Sequence, residues 1–154
     1  IEINFEKFCM LLSGIDFFLG QVKVNEKSNE IKAIPELLDL IDVKGCTVTI
    51  DAMGCQKEIA SKIIEKEADY LLALKGNQGT LHKDVTLFLD DAVNNNFKGI
   101  KHDYYETFDN YHGRIEKRKC RVTDKIEWLK QKEEWKNIKT ICIIESERTI
   151  GAGQ

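Results

Sequence analysis

VTIDAMGCQKEIA, residues 48–60, decides how the chain reads. Val48, Thr49 and Ile50 are β-branched and suit a pleated strand. Asp51 follows with no spacer, and Gly54 then opens what reads as a helix. In open α/β sheets the carboxyl ends of parallel strands line the ligand crevice, so a carboxylate at this point sits where a metal or substrate binds. An aspartate there can equally cap the following helix or satisfy a turn. The residues alone leave both readings open.

The surrounding sequence repeats the same alternation. FFLGQVKV, residues 17–24, reads as a strand in which Val22 and Val24 alternate with Gln21 and Lys23. Ser28 or Asn29 can cap a helix in which Ile31, Ile34, Leu37, Leu38 and Ile41 recur on one face. Pro35 marks a late start or a kink in it, and Gly45 ends the segment. Residues 46–50 form a short buried-type strand leading to Asp51, and a second helix spans 55–66, burying Ile59, Ile63 and Ile64. Residues 69–74, DYLLAL, are the next strand. KGNQG, 75–79, is a glycine-punctuated turn, and Thr80 caps a third helix carrying Leu81, Val85, Phe88, Leu89 and Val93. The order β-α-β-α-β-α implies parallel strands joined by crossover helices.

The pattern changes after the linker-like asparagines 94–96. Residues 102–124 alternate in short stretches on both sides of NYHG, which predicts an antiparallel pair with its turn near Asn110. A short helix over 126–132 and a strand over 140–145 follow.

Composition narrows the function. With 154 residues, 42% hydrophobic and 32% charged, the chain fits one domain with a real core. A net charge of −3 gives no general attraction to phosphates, so any contact with DNA must be local. The candidate is HGRIEKRKCRVTDK, where Arg114, Lys117, Arg118, Lys119, Arg121 and Lys125 concentrate positive charge. It can neutralise a DNA backbone, or be a solvated edge hairpin whose lysines discourage aggregation. The five cysteines are scattered with no C-x-x-C pair, which signals neither a disulfide framework nor zinc and suits a reducing, cytoplasmic setting. The apolar residues 8–12 are too few to span a bilayer, and no targeting segment or membrane association is expected. The first residue is Ile, and TIGAGQ closes the chain just after an apolar run, so both ends read as cut or atypical. His82, His102 and His112 have no partner at ligand spacing, and no serine lies in a G-x-S-x-G elbow.

A second polar cluster, Lys75, Asn77 and Gln78, ends the strand after Asp51. Neighbouring parallel strands end at the same edge, so this cluster is expected near Asp51. Lys75 could pair with that carboxylate or, beside a metal, hold a phosphate.

The run from EKSNEIKAIPELLDLIDVKGCTVTIDAMGCQKEIA through ADYLLALKGNQGTLHKDV, followed by HGRIEKR, resembles the H-repeat-associated insertion-sequence transposases of the DDE class. The likeness covers residues 18–150, with IDAMGCQ, ADYLLALKGNQ and HGRIE in order and at the right spacing. It implies one RNase H-like catalytic domain over 1–154, an α/β mixed sheet flanked by helices, with residues 97–125 as an inserted antiparallel β-hairpin region. It also implies cutting and joining of DNA by two-metal phosphoryl transfer with Mg2+ or Mn2+. Asp51 then corresponds to the middle of three metal-binding carboxylates. Lys75, Asn77, Gln78, Arg114, Arg118 and Lys119 become DNA contacts, the partners are transposon ends and target DNA, and the full-length protein is expected to form a homo-oligomer.

The other two carboxylates lie, in that family, in an Asp-Gly-Lys stretch and a His-Trp-x-Ile-Glu-Asn helix, and neither motif occurs here. Asp16 falls at the wrong place to replace the first. Glu116 in HGRIE is like an R-x-E signature but has strand-like neighbours. Residues 1–15 match the family poorly, as in a gene remnant with a frameshifted or fused beginning. The chain is therefore expected to be inactive by itself. Two other classes remain in view: a non-catalytic remnant or DNA-binding module, and a receiver-like phospho-acceptor domain. The receiver pattern requires an acidic pair after its first strand, and its aspartate and lysine more than one β-α unit apart. Asp51 and Lys75 are one unit apart and no such pair is present.

Overall fold

The computed structural model describes residues 2–4, 9–11, 18–21, 30–111 and 114–150, with side chains over 31–110 and 115–149. The chain divides into two compact units, residues 1–82 with 131–137, and residues 83–130 with 138–154.

In the first unit, β1 (Glu2–Asn4), β2 (Cys9–Leu11), β3 (Phe18–Gln21), β4 (Thr47–Ile50) and β5 (Asp69–Leu72) form one sheet ordered β3-β2-β1-β4-β5. β1, β2 and β3 pair antiparallel, whereas β1 with β4 and β4 with β5 are parallel. The strand expected over 17–24 is β3, at the sheet edge and separated from β4 by β2 and β1. Its expected end, Val22 and Val24, and the proposed caps Ser28 and Asn29 lie outside the described residues.

Helices α1 (Glu30–Leu40) and α2 (Lys57–Glu65) supply the crossovers. Ile34, Leu37 and Leu38 of α1, Ile59 and Ile63 of α2, and Val48 and Ile50 of β4 form one buried core with Val43 and Ala68. The helical spacing in the sequence thus locates the inner faces, although Ile31 and Leu40 remain exposed and Ile64 is half-buried. Pro35 lies inside α1, past its first turn. Gly45 has φ +72°, and its N–H donates to the Glu67 carbonyl, which ties the loop before β4 to the end of α2. Residues 131–137 belong to this unit through Trp135, which is buried, and through ion pairs of Glu134 with Lys57 and of Lys136 with Glu65.

Helix α3 (Gly79–Asn94) begins one residue before Thr80, which therefore lies in the first turn rather than capping it. The asparagines after it form a helix terminus, not a linker. Asn96 (φ +50°) donates its N–H to Val93, and Phe97 (φ +54°) donates to Ala92. This is the left-handed ending that recaptures free carbonyls, and asparagine tolerates it better than most residues.

In the second unit, β6 (Asp103–Tyr111), β7 (Arg114–Thr123) and β8 (Ile141–Ile150) make an antiparallel sheet in the order β6-β7-β8. Tyr111 faces Arg114, so the turn falls two residues beyond Asn110, at His112 and Gly113, which lie outside the described residues. The strand expected over 140–145 continues to Ile150. The helix expected over 126–132 does not form. Those residues make successive short turns, with Ile126 donating to Asp124 and Leu129 to Ile126, and a 3₁₀ turn follows at Lys132–Glu134. Ile126 and Leu129 are buried, and their burial supplies what helix propensity does not.

Candidate functional site

β4 is short because Asp51 leaves the ladder. It adopts φ −71° and ψ −179°, and its Oδ1 accepts the Met53 N–H at 3.0 Å, capping a 3₁₀ turn at Ala52–Gly54. The carboxylate is exposed at the carboxyl end of β4. Asp51 thus fills the capping role that the sequence allowed, while its second oxygen remains available to a ligand. Gly54 belongs to this turn rather than to α2, which begins at Lys57. A Cβ there would stand 2.2 Å from Ile50 Cγ2 and 2.9 Å from Ile34 Cδ1. Glycine is required because the turn lies directly on the core.

The cluster after β5 is brought to this turn, as its strand-end position implies. The Ile50 carbonyl accepts from Ala73, which extends the β4–β5 ladder past Leu72. Residues Gly76–Gln78 form a second 3₁₀ turn. Asn77 Nδ2 donates to the Ala52 carbonyl at 2.7 Å, and Gln78 Nε2 donates to the Cys55 carbonyl at 2.6 Å. Lys75 is exposed and forms no ion pair among the described residues. An open groove beside the turn is lined by Ile31, Ala52, Met53, Gln56, Lys75 and Asn77. Cys55 is no ligand at neutral pH, because burial pushes its thiol up to about 11.

A site for two divalent ions needs several carboxylates converging on one point. Among the described residues no cluster of three His, Cys, Asp or Glu side chains could hold a metal ion. Asp51 alone does not fit the ion pair that the family resemblance implies. Asp16 lies outside the described residues.

The basic stretch has a different character from the one its sequence suggests. Lys117 pairs with Glu106 at 3.0 Å, Lys119 with Glu147 at 3.2 Å, and Arg121 with Glu145. Arg118 and Arg148 share Glu116, at 3.1 and 3.5 Å. Lys117 also lies over the Phe108 ring at 4.8 Å, and Arg121 over Tyr104 at 5.2 Å. Glu116 is therefore a strand residue of β7, held between two arginines. The backbone of Arg114 pairs with Tyr111 and Ile150, and its side chain lies outside the described residues. The carboxylates of β6 and β8 that match this stretch were missed in the sequence, although the acidic spacing of ESE at 145–147 was a usable signal.

A mixed α/β chain with an exposed strand-end aspartate defines a class of candidate phosphoryl-transfer domains. Comparison with known proteins gives the family. The chain belongs to the transposase DDE domain family, which matches residues 8–149. It is 46% identical over 132 residues to the "Uncharacterized protein in dhlA 3'region" of Xanthobacter autotrophicus, covering 86% of this chain and 43% of that protein. It is 52% identical over 126 residues to the "Putative transposase YncI" of Escherichia coli O157:H7, covering 81% and 32%. With the "H repeat-associated putative transposase YhhI" of Escherichia coli K12 it shares 45% identity over 139 residues, covering 88% and 35%. The chain thus spans less than half the length of these relatives. No solved structure matches it significantly. No described helix is long and apolar enough to cross a membrane.

Proposed function

We propose that this chain is part of the RNase H-like catalytic domain of a DDE transposase, with the β-hairpin region 97–125 as an insertion. The whole protein would cut and join DNA at transposon ends and target sites with Mg2+ or Mn2+, acting as a homo-oligomer in the cytoplasm. One observation carries the reading: the exposed Asp51 carboxylate at the carboxyl end of β4, between two parallel neighbours, in a chain of this family. The strand order β3-β2-β1-β4-β5, three antiparallel strands followed by two parallel ones, supports the fold assignment.

In this reading Asp51 is one metal-binding carboxylate, and Lys75, unpaired and exposed on the same edge, takes a DNA phosphate. Arg114, Arg118 and Lys119 contribute weaker contacts. Exposed ion pairs are worth about 0–1 kcal/mol, so a phosphate can displace the carboxylate partners of Arg118 and Lys119. The remaining carboxylates belong to motifs that these 154 residues do not contain, so the chain by itself lacks the ligands for two ions.

The test is plasmid nicking and strand transfer with Mg2+ or Mn2+ by the 154-residue chain and by Asp51→Asn. No activity from either is expected. Metal-dependent nicking that disappears in Asp51→Asn would mean a complete site and would return Glu116 and Asp16 as ligands. Nicking that survives Asp51→Asn would remove Asp51 from the chemistry.

A further inference from the structure

We propose that Asn77 and Gln78 act as positioning residues rather than DNA contacts, holding the Ala52–Gly54 turn and, through it, the Asp51 carboxylate. The inference rests on Asp51 being a metal ligand, and its central observation is independent of that.

The turn is poorly held by its own backbone. Gly54 donates to Asp51 at 3.1 Å and Cys55 to Ala52 at 3.4 Å, the second near the limit of a hydrogen bond. The Ala52 carbonyl has a far shorter partner in Asn77 Nδ2, at 2.7 Å. The Cys55 carbonyl accepts Gln78 Nε2 at 2.6 Å. Ala52 and Cys55 are both buried, and carbonyls of such residues are costly to leave without partners.

These two amides therefore fix both ends of the turn from a strand crossover away. Packing of Gly54 on Ile50 and Ile34 fixes its inner side. Met53 lies between the anchored residues, and its N–H is the group that orients Asp51 Oδ1. Gly79, at φ +45°, lets the chain leave the second turn directly into α3 while both amides face back. Each amide has one N–H committed to the turn, and its oxygen is an acceptor that a phosphate does not attract.

Two near-isosteric variants test this in the full chain: Asn77→Leu and Gln78→Met, compared by amide hydrogen exchange. Exchange at Met53 should rise about tenfold in either variant, the loss of one buried hydrogen bond, while Val48 and Ile63 stay protected. Exchange at Met53 equal to wild type in both variants overturns the proposal. Mn2+ titration adds the functional arm, because residues that orient a metal ligand change affinity by about tenfold or more when removed. Asn77→Leu should weaken Mn2+ binding in the wild-type background and change nothing further in Asp51→Asn. Equal weakening in both backgrounds would show that Asn77 does not act through Asp51. If Asp51→Asn leaves Mn2+ binding untouched, the metal-ligand reading fails, and the Met53 amide alone decides whether the turn is anchored as described.

Discussion

The turn after β4 and the sheet β6-β7-β8 are both rich in polar side chains and use them in opposite ways. At the turn, Asp51, Asn77 and Gln78 bond to backbone groups, at 3.0, 2.7 and 2.6 Å. In the sheet, Lys117, Arg118, Lys119 and Arg121 pair with carboxylates of their own or adjacent strands. Backbone bonds fix one conformation. Exposed ion pairs are exchangeable and salt-screened. The difference teaches that the acidic strand end is built for geometry, whereas the basic stretch is balanced by carboxylates and offers little net charge to DNA.

The largest effect should come from removing the space beneath the turn. Gly54→Ala must push Ile50 and Ile34 aside, and overpacking of this kind costs up to about 3 kcal/mol. Urea denaturation should show it. A variant as stable as wild type would mean that the turn is not pressed onto the core.

A smaller effect separates the two roles of Asp51. Asp51→Ala removes the acceptor for Met53 and should cost about 1 kcal/mol, whereas Asp51→Asn keeps a cap of equal rank and should cost almost nothing. Equal losses in both variants would tie stability to the charge instead.

In the sheet, a double-mutant cycle on Arg121 and Glu145 should give a coupling below about 1 kcal/mol that shrinks with added salt. A larger, salt-independent coupling would contradict the exchangeable character assigned to this surface. DNA binding by the same stretch should be weak, lost at high salt and reduced by charge reversal at Arg118 and Lys119.

The smallest effect is on acid stability. The Tyr104 hydroxyl, and then Lys117, hold the Glu106 carboxyl below its ordinary value of 4.5. A carboxyl lowered in the folded state adds stability that is present above its unfolded value and lost as pH falls through the folded one. Glu106→Gln should therefore flatten the loss of stability below about pH 4.5 and leave neutral pH unchanged. An identical acid limb in the variant would show that the tyrosine contact is immaterial.

Much of the fold is legible because its signals are local. The β-branched run at 48–50 and the recurrence of Ile34, Leu37, Leu38, Ile59 and Ile63 place β4, α1 and α2 and their buried faces. The helix expected over 126–132 fails where burial of Ile126 and Leu129 outweighs propensity. For the site, the strand-end rule locates Asp51 and brings Asn77 and Gln78 beside it. Their partners were not legible, because each bond joins residues more than twenty positions apart and depends on the β4–β5 register. The neutralisation of the basic stretch depends likewise on pairing with β6 and β8, which sequence spacing does not encode.

The most direct test of Asp51 as a metal-binding carboxylate is Mn2+ titration of the 154-residue chain by electron paramagnetic resonance, beside Asp51→Asn and with matched thermal unfolding. The account predicts weak Mn2+ binding by the wild type, its disappearance in Asp51→Asn, and unchanged unfolding. Mn2+ bound equally by both proteins would contradict it.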